Sequence, residues 1–257
     1  MKNNLNTITL LLLIITLLSC KSTSKVTSYN SSNHAIDNNL STGNYAELNL
    51  SDYRSEISNQ MNEIINVSAI DMETGSPEGV LGNFICDLSL FTCISILDIP
   101  ADFCILNNGG FRTSLPKGNV SRGKIFEIMP FDNELVVLEL NSKQMIDLIN
   151  YIKDKSIINQ TRKAGVPVSG IRLSIIGNEI SRVFIGIEEF SNTKTYKVVT
   201  TDYLAKGGDQ MTFFKNAKKI SNTGLLLRDA IINYIEKLSN QNIQLNAQLD
   251  GRIRVSE

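Results

Sequence analysis

The chain has no tryptophan and one histidine, His34, among 257 residues, and neither charge is in excess, with 25 Lys and Arg against 26 Asp and Glu. The shortage of histidine excludes most familiar hydrolytic centres. Zinc and two-metal sites lean on several imidazoles beside carboxylates, and serine or cysteine triads need one inside the fold. His34 lies in a Ser-, Thr- and Asn-rich stretch and reads as a solvated linker residue. Carboxylate-only catalysis stays open, yet no Asp/Glu pair stands out by spacing. The missing basic excess argues against a DNA or RNA polymer as partner, because little is available to neutralise its phosphates. Long apolar runs are also lacking. Leu10–Leu18, broken only by Thr16, is too short to span a bilayer but suits the core of a signal peptide.

That run ends in Leu17-Leu18-Ser19-Cys20, which resembles a bacterial lipobox. Ser19 fits a small cleavage pocket, and Cys20 would carry the lipid. The alternative is an ordinary signal peptide with an incidental cysteine. We therefore expect a signal peptide over 1–19, a flexible tether over 20–45 and a globular domain over 46–257. The protein would sit in the bacterial cell envelope, periplasmic or at the surface, held to the membrane by its lipid alone. Removing Lys2 with the leader leaves 24 basic against 26 acidic residues, a net charge close to −2. Cys86, Cys93 and Cys104 permit one disulfide at most. Each lies in an apolar segment, which favours buried thiols acting as small hydrophobes.

Periodicity predicts helices over 51–66 (Ser51 as N-cap), 83–97, 121–128, 142–152 (Ser142 as cap) and 224–238. It predicts strands over 103–106, 135–140, 171–176, 180–185, 196–200 and 251–255, with Gly177-Asn178 turning a hairpin. Helices and strands interleave, but the hairpin rules out a purely parallel sheet, so the expected class is α+β with a mixed sheet.

Candidate site residues fall in three segments. In Asn107-Asn108-Gly109-Gly110-Phe111-Arg112 the Gly109-Gly110 pair lets backbone amides approach an anion, and Arg112 can fork two donors onto a phosphate or carboxylate. Phe131 and Tyr203 are aromatic rings on separate loops, able to hold a flat base between them. Tyr203 is followed by Gly207-Gly208-Asp209, a second glycine pair beside a polar residue. Duller readings exist: core packing for the rings, tight turns for the glycines, a structural carboxylate for Arg112 and a cap for Asp209.

From about Gly75 to Arg254 the chain resembles the C-terminal, substrate-specificity domain of the 5′-nucleotidases. Leu81-Gly82-Asn83-Phe84-Ile85-Cys86-Asp87 is similar to its L-G-N-L-x-x-D opening, and Asn107–Arg112 to its N-G-G-G-I-R loop. Ile128-Met129-Pro130-Phe131-Asp132-Asn133 is similar to L-P-F-G-N, and Tyr203–Asp209 to F-x-A-x-G-G-D. The resemblance implies that Phe131 and Tyr203 sandwich a nucleobase, Asn133 bonds its edge, Asp209 accepts from the ribose, Asn107 supports the nucleoside and Arg112 contacts phosphate. The ligand would be a nucleoside or nucleotide. Tyr203 stands where phenylalanine is usual, and its hydroxyl needs a partner. The second phosphate-binding arginine, expected just before the L-G-N segment, is replaced by Ser76-Pro77-Glu78-Gly79-Val80; Arg122 is a candidate to compensate.

In the full-length family an N-terminal metallophosphatase domain holds two metal ions. Here the leader runs through a tether straight into the recognition domain, so no cofactor is expected in this chain. Divalent metals would belong to a separate metallophosphatase subunit, with which it would hydrolyse nucleoside 5′-phosphates. The alternative is a non-catalytic lipoprotein that binds a nucleoside-like ligand or acts as a scaffold.

Overall fold

Three short apolar stretches, Phe103–Leu106, Leu135–Leu140 and Tyr196–Val199, alternate between two buried faces, and this alternation organises the domain. The computed structural model describes residues 24–33, 44–157 and 164–256. The chain divides into two compact units, 1–48 and 49–257. In the first, residues 24–33 are exposed and carry no regular secondary structure. Cys20 and His34 lie outside the described residues.

The elements run α1 (Asn44–Asn62), β1 (Ile64–Ser68), α2 (Val80–Phe91), β2 (Phe103–Ile105), β3 (Gly118–Ser121), α3 (Arg122–Ile128), β4 (Glu134–Leu140) and α4 (Ser142–Ile157). They continue as β5 (Val168–Ser169), β6 (Ile171–Ile176), β7 (Glu179–Ile185), β8 (Glu188–Glu189), β9 (Tyr196–Thr201), α5 (Asp202–Ala205), β10 (Lys218–Leu226), α6 (Leu227–Asn240) and β11 (Ile253–Ser256). A five-stranded mixed sheet has the order β10-β4-β9-β2-β5, a four-stranded sheet the order β11-β6-β7-β8, and β1 pairs with β3. The class is α+β, as expected.

Both faces of the five-stranded sheet are covered. Cys104, Leu135, Val137 and Val199 point into one core with α2, α3 and α6. Phe103, Ile105, Val136, Leu138, Leu140 and Val198 point into the other, with α4 and the four-stranded sheet. A strand sandwiched this way needs apolar side chains at every position rather than every second one. Cys86, Cys93 and Cys104 are free, buried thiols, and burial pushes the Cys93 thiol up to about 11.

Several predicted boundaries move. Helix α1 starts at Asn44 and ends at Asn62, so Ser51 lies inside it and Asn66 belongs to β1. Good helix formers upstream (Ala46, Glu47, Leu48) extend the helix past the expected cap. Tyr53 and Ile57, apolar residues at helical spacing, are exposed. Helix α2 keeps the predicted span in two parts, an α-helix to Phe91 and a π-turn over Thr92–Ile96.

Helix α4 is capped by Asn141, not Ser142. The Asn141 side chain accepts from the Gln144 N–H, and the Gln144 side chain accepts from the Asn141 N–H, both at 3.0 Å. That reciprocal pair is a capping box. Asn141→Ala is expected to lower stability by about 1 kcal/mol, read as a denaturant midpoint shift at constant m-value. On the same helix Met145, Leu148, Ile149 and Ile152 form the buried face, and Ile146 is exposed.

Gly224 belongs to β10 rather than to the closing helix, which starts at Leu227. Strand β10 escapes a hydropathy reading because Lys218-Lys219-Ile220-Ser221-Asn222-Thr223 is polar and lies at the sheet edge. Short strands β1 and β3 escape it too.

Strand register decides where the site forms. β2 and β9 run parallel, with Cys104 opposite Val199, while β4 is antiparallel to β9, with Leu135 opposite Thr201. The carboxyl ends of β2 and β9 and the start of β4 therefore share one edge of the sheet. The Asp202 carboxylate, just past β9, accepts from the Glu134 N–H at 3.1 Å and ties these ends together.

Candidate functional site

Three chain segments leave that shared edge. β2 runs into Asn107 and a 3₁₀ turn over Asn108–Gly110. β9 runs through α5 into a second 3₁₀ turn, Gly208–Gln210. The Phe131–Asn133 segment enters β4. Between them lies a cavity of about 330 Å³, lined by Asn107, Gly109, Gly110, Arg112, Phe131, Asn133, Tyr203 and Asp209. Asn107, Arg112, Phe131, Asn133, Tyr203 and Asp209, singled out in the sequence for base, ribose or phosphate contact, are all on its wall, and Arg122 is not. Gly207 and Gly208 are not; they stand behind it.

Asp209 is the hub of one wall. Its Oδ2 accepts from the Asn107 amide at 2.6 Å and its Oδ1 from the Tyr203 hydroxyl at 3.0 Å. Its carbonyl accepts from the Tyr151 hydroxyl at 2.9 Å. These bonds hold a backbone in the left-handed region, with φ of 47° at Asp209 and 67° at Gln210. Non-glycine residues reach that region at a cost of about 1–3 kcal/mol each, which surrounding contacts must offset. A carboxylate offers about four acceptor positions, so acceptor capacity remains for a ligand diol. Burial, with the Asp209 charge adding to it, pushes the Tyr151 phenol up to about 12, which keeps it a protonated donor.

The glycines serve close approach. A Cβ on Gly208 would overlap Cε1 of Tyr203 and lie 2.5 Å from its Cζ. The Tyr203 ring is therefore laid against the Gly208 backbone on that side. A Cβ on Gly110 would lie 3.1 Å from the Asn107 side-chain oxygen, and one on Gly109 3.3 Å from Asp209 Oδ2. Gly207 has φ of +90° and serves the turn itself.

At the other wall Phe131 is 42 % exposed, against 43 % for Tyr203. Arg112 reaches the Gly109 carbonyl at 3.4 Å and stands 6.0 Å from the Phe131 ring centre. No carboxylate pairs with Arg112 among the described residues. The cavity thus has a carboxylate pole at Asp209 and a free guanidinium at Arg112, with aromatic surface at Phe131 and Tyr203.

This combination of aromatic, carboxylate and guanidinium on glycine-rich loops invites comparison with known proteins, and the sequence profile of "5′-nucleotidase, C-terminal domain" matches residues 59–216. The chain belongs to this family. It is 28 % identical over 139 residues to a 5′-nucleotidase of Vibrio vulnificus, covering 54 % of this chain and 25 % of that protein. It is 26 % identical over 237 residues to the trifunctional nucleotide phosphoesterase YfkN of Bacillus subtilis, covering 85 % of this chain and 16 % of that protein. The 5′-nucleotidase precursor of Thermus thermophilus superposes with a TM-score of 0.68 at 26 % identity, over 83 % of this chain and 43 % of that one. The chain spans about a quarter or less of the length of these two curated relatives. Family membership supports a nucleotide-related function.

One expectation within the family frame is corrected. Arg122 does not serve the site, because its guanidinium is bound by Glu63 and Glu236, each at 2.7 Å. The stretch lacking an arginine has a structural job instead: the Glu78 carboxylate accepts from the Asn83 amide and the Gly251 N–H, both at 2.9 Å. The two metals of the full-length family find no fit here. Among the described residues no group of three or more His, Cys, Asp or Glu converges as a metal site.

Sequence reasoning missed two supports of the 5′-nucleotidase-like site. Asn108 is buried, and its amide donates to the carbonyls of Gly75 at 3.0 Å and Ala164 at 2.6 Å, pinning the Asn107–Arg112 loop. A polar residue beside a glycine pair was the available signal, since buried asparagines satisfy stray carbonyls. Tyr151 gave none, because nothing local links α4 to a loop 58 residues away.

Proposed function

We propose that this domain recognises a nucleoside or nucleoside 5′-phosphate, the base lying between Phe131 and Tyr203. The ribose hydroxyls donate to Asp209, Asn133 bonds the base edge, and the phosphate meets Arg112. The observation that carries this reading is the convergence of three separate segments on one cavity with a diol acceptor and an unpaired guanidinium at different positions. The Asn107 and Tyr203 donors leave Asp209 oriented before a ligand arrives, which reduces the ordering cost of binding.

Bond cleavage is assigned to a separate metallophosphatase chain, at the bacterial cell envelope, with this protein anchored by a lipid on Cys20. Contacts to base and ribose would position the 5′-phosphate at metals held by that chain. The isolated protein should bind adenosine or AMP by calorimetry without turning AMP over. Adding a metal-loaded metallophosphatase chain should bring hydrolysis that the Phe131→Ala variant slows. Rapid turnover by the isolated protein would refute the division of labour, and binding without any rescue of hydrolysis would favour a non-catalytic ligand-binding lipoprotein. Loss of metabolic palmitate labelling in Cys20→Ser tests the anchor.

Arg112→Ala separates the phosphate end from the base end. A hydrogen bond involving a charged group contributes about 1.5–3 kcal/mol. The variant should therefore weaken AMP by roughly tenfold or more while adenosine affinity stays near wild type. An equal loss for both ligands would remove Arg112 from the phosphate role.

A further inference from the structure

The Phe131–Asn133 segment has neither helix nor strand of its own, so its placement depends on what grips it. The grip comes from the start of α6. The Leu227 N–H donates to the Asn133 carbonyl at 2.8 Å. Arg228 Nη2 donates to Asp132 Oδ1 at 2.6 Å, and Nη1 reaches the Phe131 carbonyl at 3.5 Å. The Arg228 guanidinium lies 4.4 Å from the centre of the Phe126 ring, and the residue is 9 % exposed. Arg228 does not line the cavity.

A buried guanidinium loses most of its hydration, and such groups persist where rigid, short hydrogen bonds replace it. Here Nη2 makes the one short bond, to the side chain of Asp132, while Nη1 makes a long contact with the Phe131 carbonyl and Nε is buried without a partner among the described residues. With the Leu227–Asn133 bond, the Asp132 bond holds the backbone of the Phe131–Asn133 segment from which the Phe131 ring leaves. Phe126 below stops the guanidinium from swinging away. This grip thus braces the one aromatic wall that the glycine-backed Tyr203 does not supply.

We propose that Arg228, paired with Asp132, is a positioning residue for the Phe131 wall and strengthens ligand binding without touching the ligand. This rests on reading Phe131 as a base platform. Lysine at 228 keeps the charge but lacks the planar guanidinium. Asp132 is exposed at the surface (its side chain 76 % accessible), so its replacement opens no core cavity.

Calorimetry with adenosine on the full-length protein tests the idea through Asp132→Ala, Arg228→Lys, Phe131→Leu and the Asp132→Ala/Phe131→Leu pair. Asp132→Ala and Arg228→Lys should each weaken adenosine binding about three- to tenfold, measured well below their thermal midpoints, which should fall because each variant loses the short ion pair of a buried cation. In the Phe131→Leu background Asp132→Ala should add little, because an effect that travels through one ring vanishes with it. Wild-type affinity in both Asp132→Ala and Arg228→Lys, beside a clear loss in Phe131→Leu, overturns the positioning role and leaves the platform intact. Fully additive losses in the pair overturn it as well. No loss in Phe131→Leu itself would instead sink the platform, and this inference with it.

Discussion

Removing both rings at once, as Phe131→Ala with Tyr203→Ala, is expected to abolish detectable adenosine binding in calorimetry. Stacking of a base on an aromatic side chain is worth about 1–3 kcal/mol by alanine substitution. Losing two such faces amounts to about 2–6 kcal/mol, or roughly thirtyfold to more than ten-thousandfold in affinity. The fold should survive, because both rings are more than two-fifths exposed and their removal opens no core cavity. Tyr203→Ala also deletes the donor to Asp209 Oδ1, so it should cost more than Phe131→Ala. Tyr203→Phe separates the two contributions, keeping the stacking face and losing only the hydroxyl. A double variant that binds adenosine within threefold of wild type would leave the cavity without its proposed ligand.

The second large effect should come from one methyl group. In Gly208→Ala the new Cβ would overlap the Tyr203 ring, within 2.7 Å of three of its carbons. Either the ring or the loop must shift, and the Tyr203–Asp209 bond shifts with it. Gly208 has no left-handed backbone requirement, so alanine adds no local strain and the loss is confined to the site. Adenosine affinity should fall tenfold or more, approaching Tyr203→Ala, with little change in thermal midpoint. Gly207→Ala is the contrasting control. Its φ of +90° makes alanine strained, whereas the atoms it would meet belong to the flexible Lys215 side chain. It should lower stability by more than about 1 kcal/mol and affect binding less. Wild-type affinity in Gly208→Ala would show that the ring position is unimportant.

The two glycine pairs illustrate how far local pattern carries. A glycine beside a polar candidate signals close approach, but what approaches is a matter of tertiary structure. At 208 it is the Tyr203 ring, and at 110 the Asn107 side chain. The duller alternative for Arg112, pairing with a structural carboxylate, is excluded among the described residues, while Arg122, a candidate to compensate that no motif placed, is consumed by Glu63 and Glu236. Only the distance to a carboxylate 59 or 114 residues away separates them.

By itself the sequence determined the α+β class, the hairpin at Gly177-Asn178 and the three segments that bear site side chains. Each of these is written in residues close together in the chain, through period, turn chemistry and glycine spacing. Tertiary structure alone decided the strand order β10-β4-β9-β2-β5, which sets those segments at one sheet edge. It also decided the bonds that orient Asp209 and the Arg228 grip under Phe131. Among those contacts, Asn107 to Asp209 and Arg228 to Asp132 join residues about a hundred positions apart. No local propensity encodes them, because they exist only after the sheet has paired and the burial of both its faces has fixed the register.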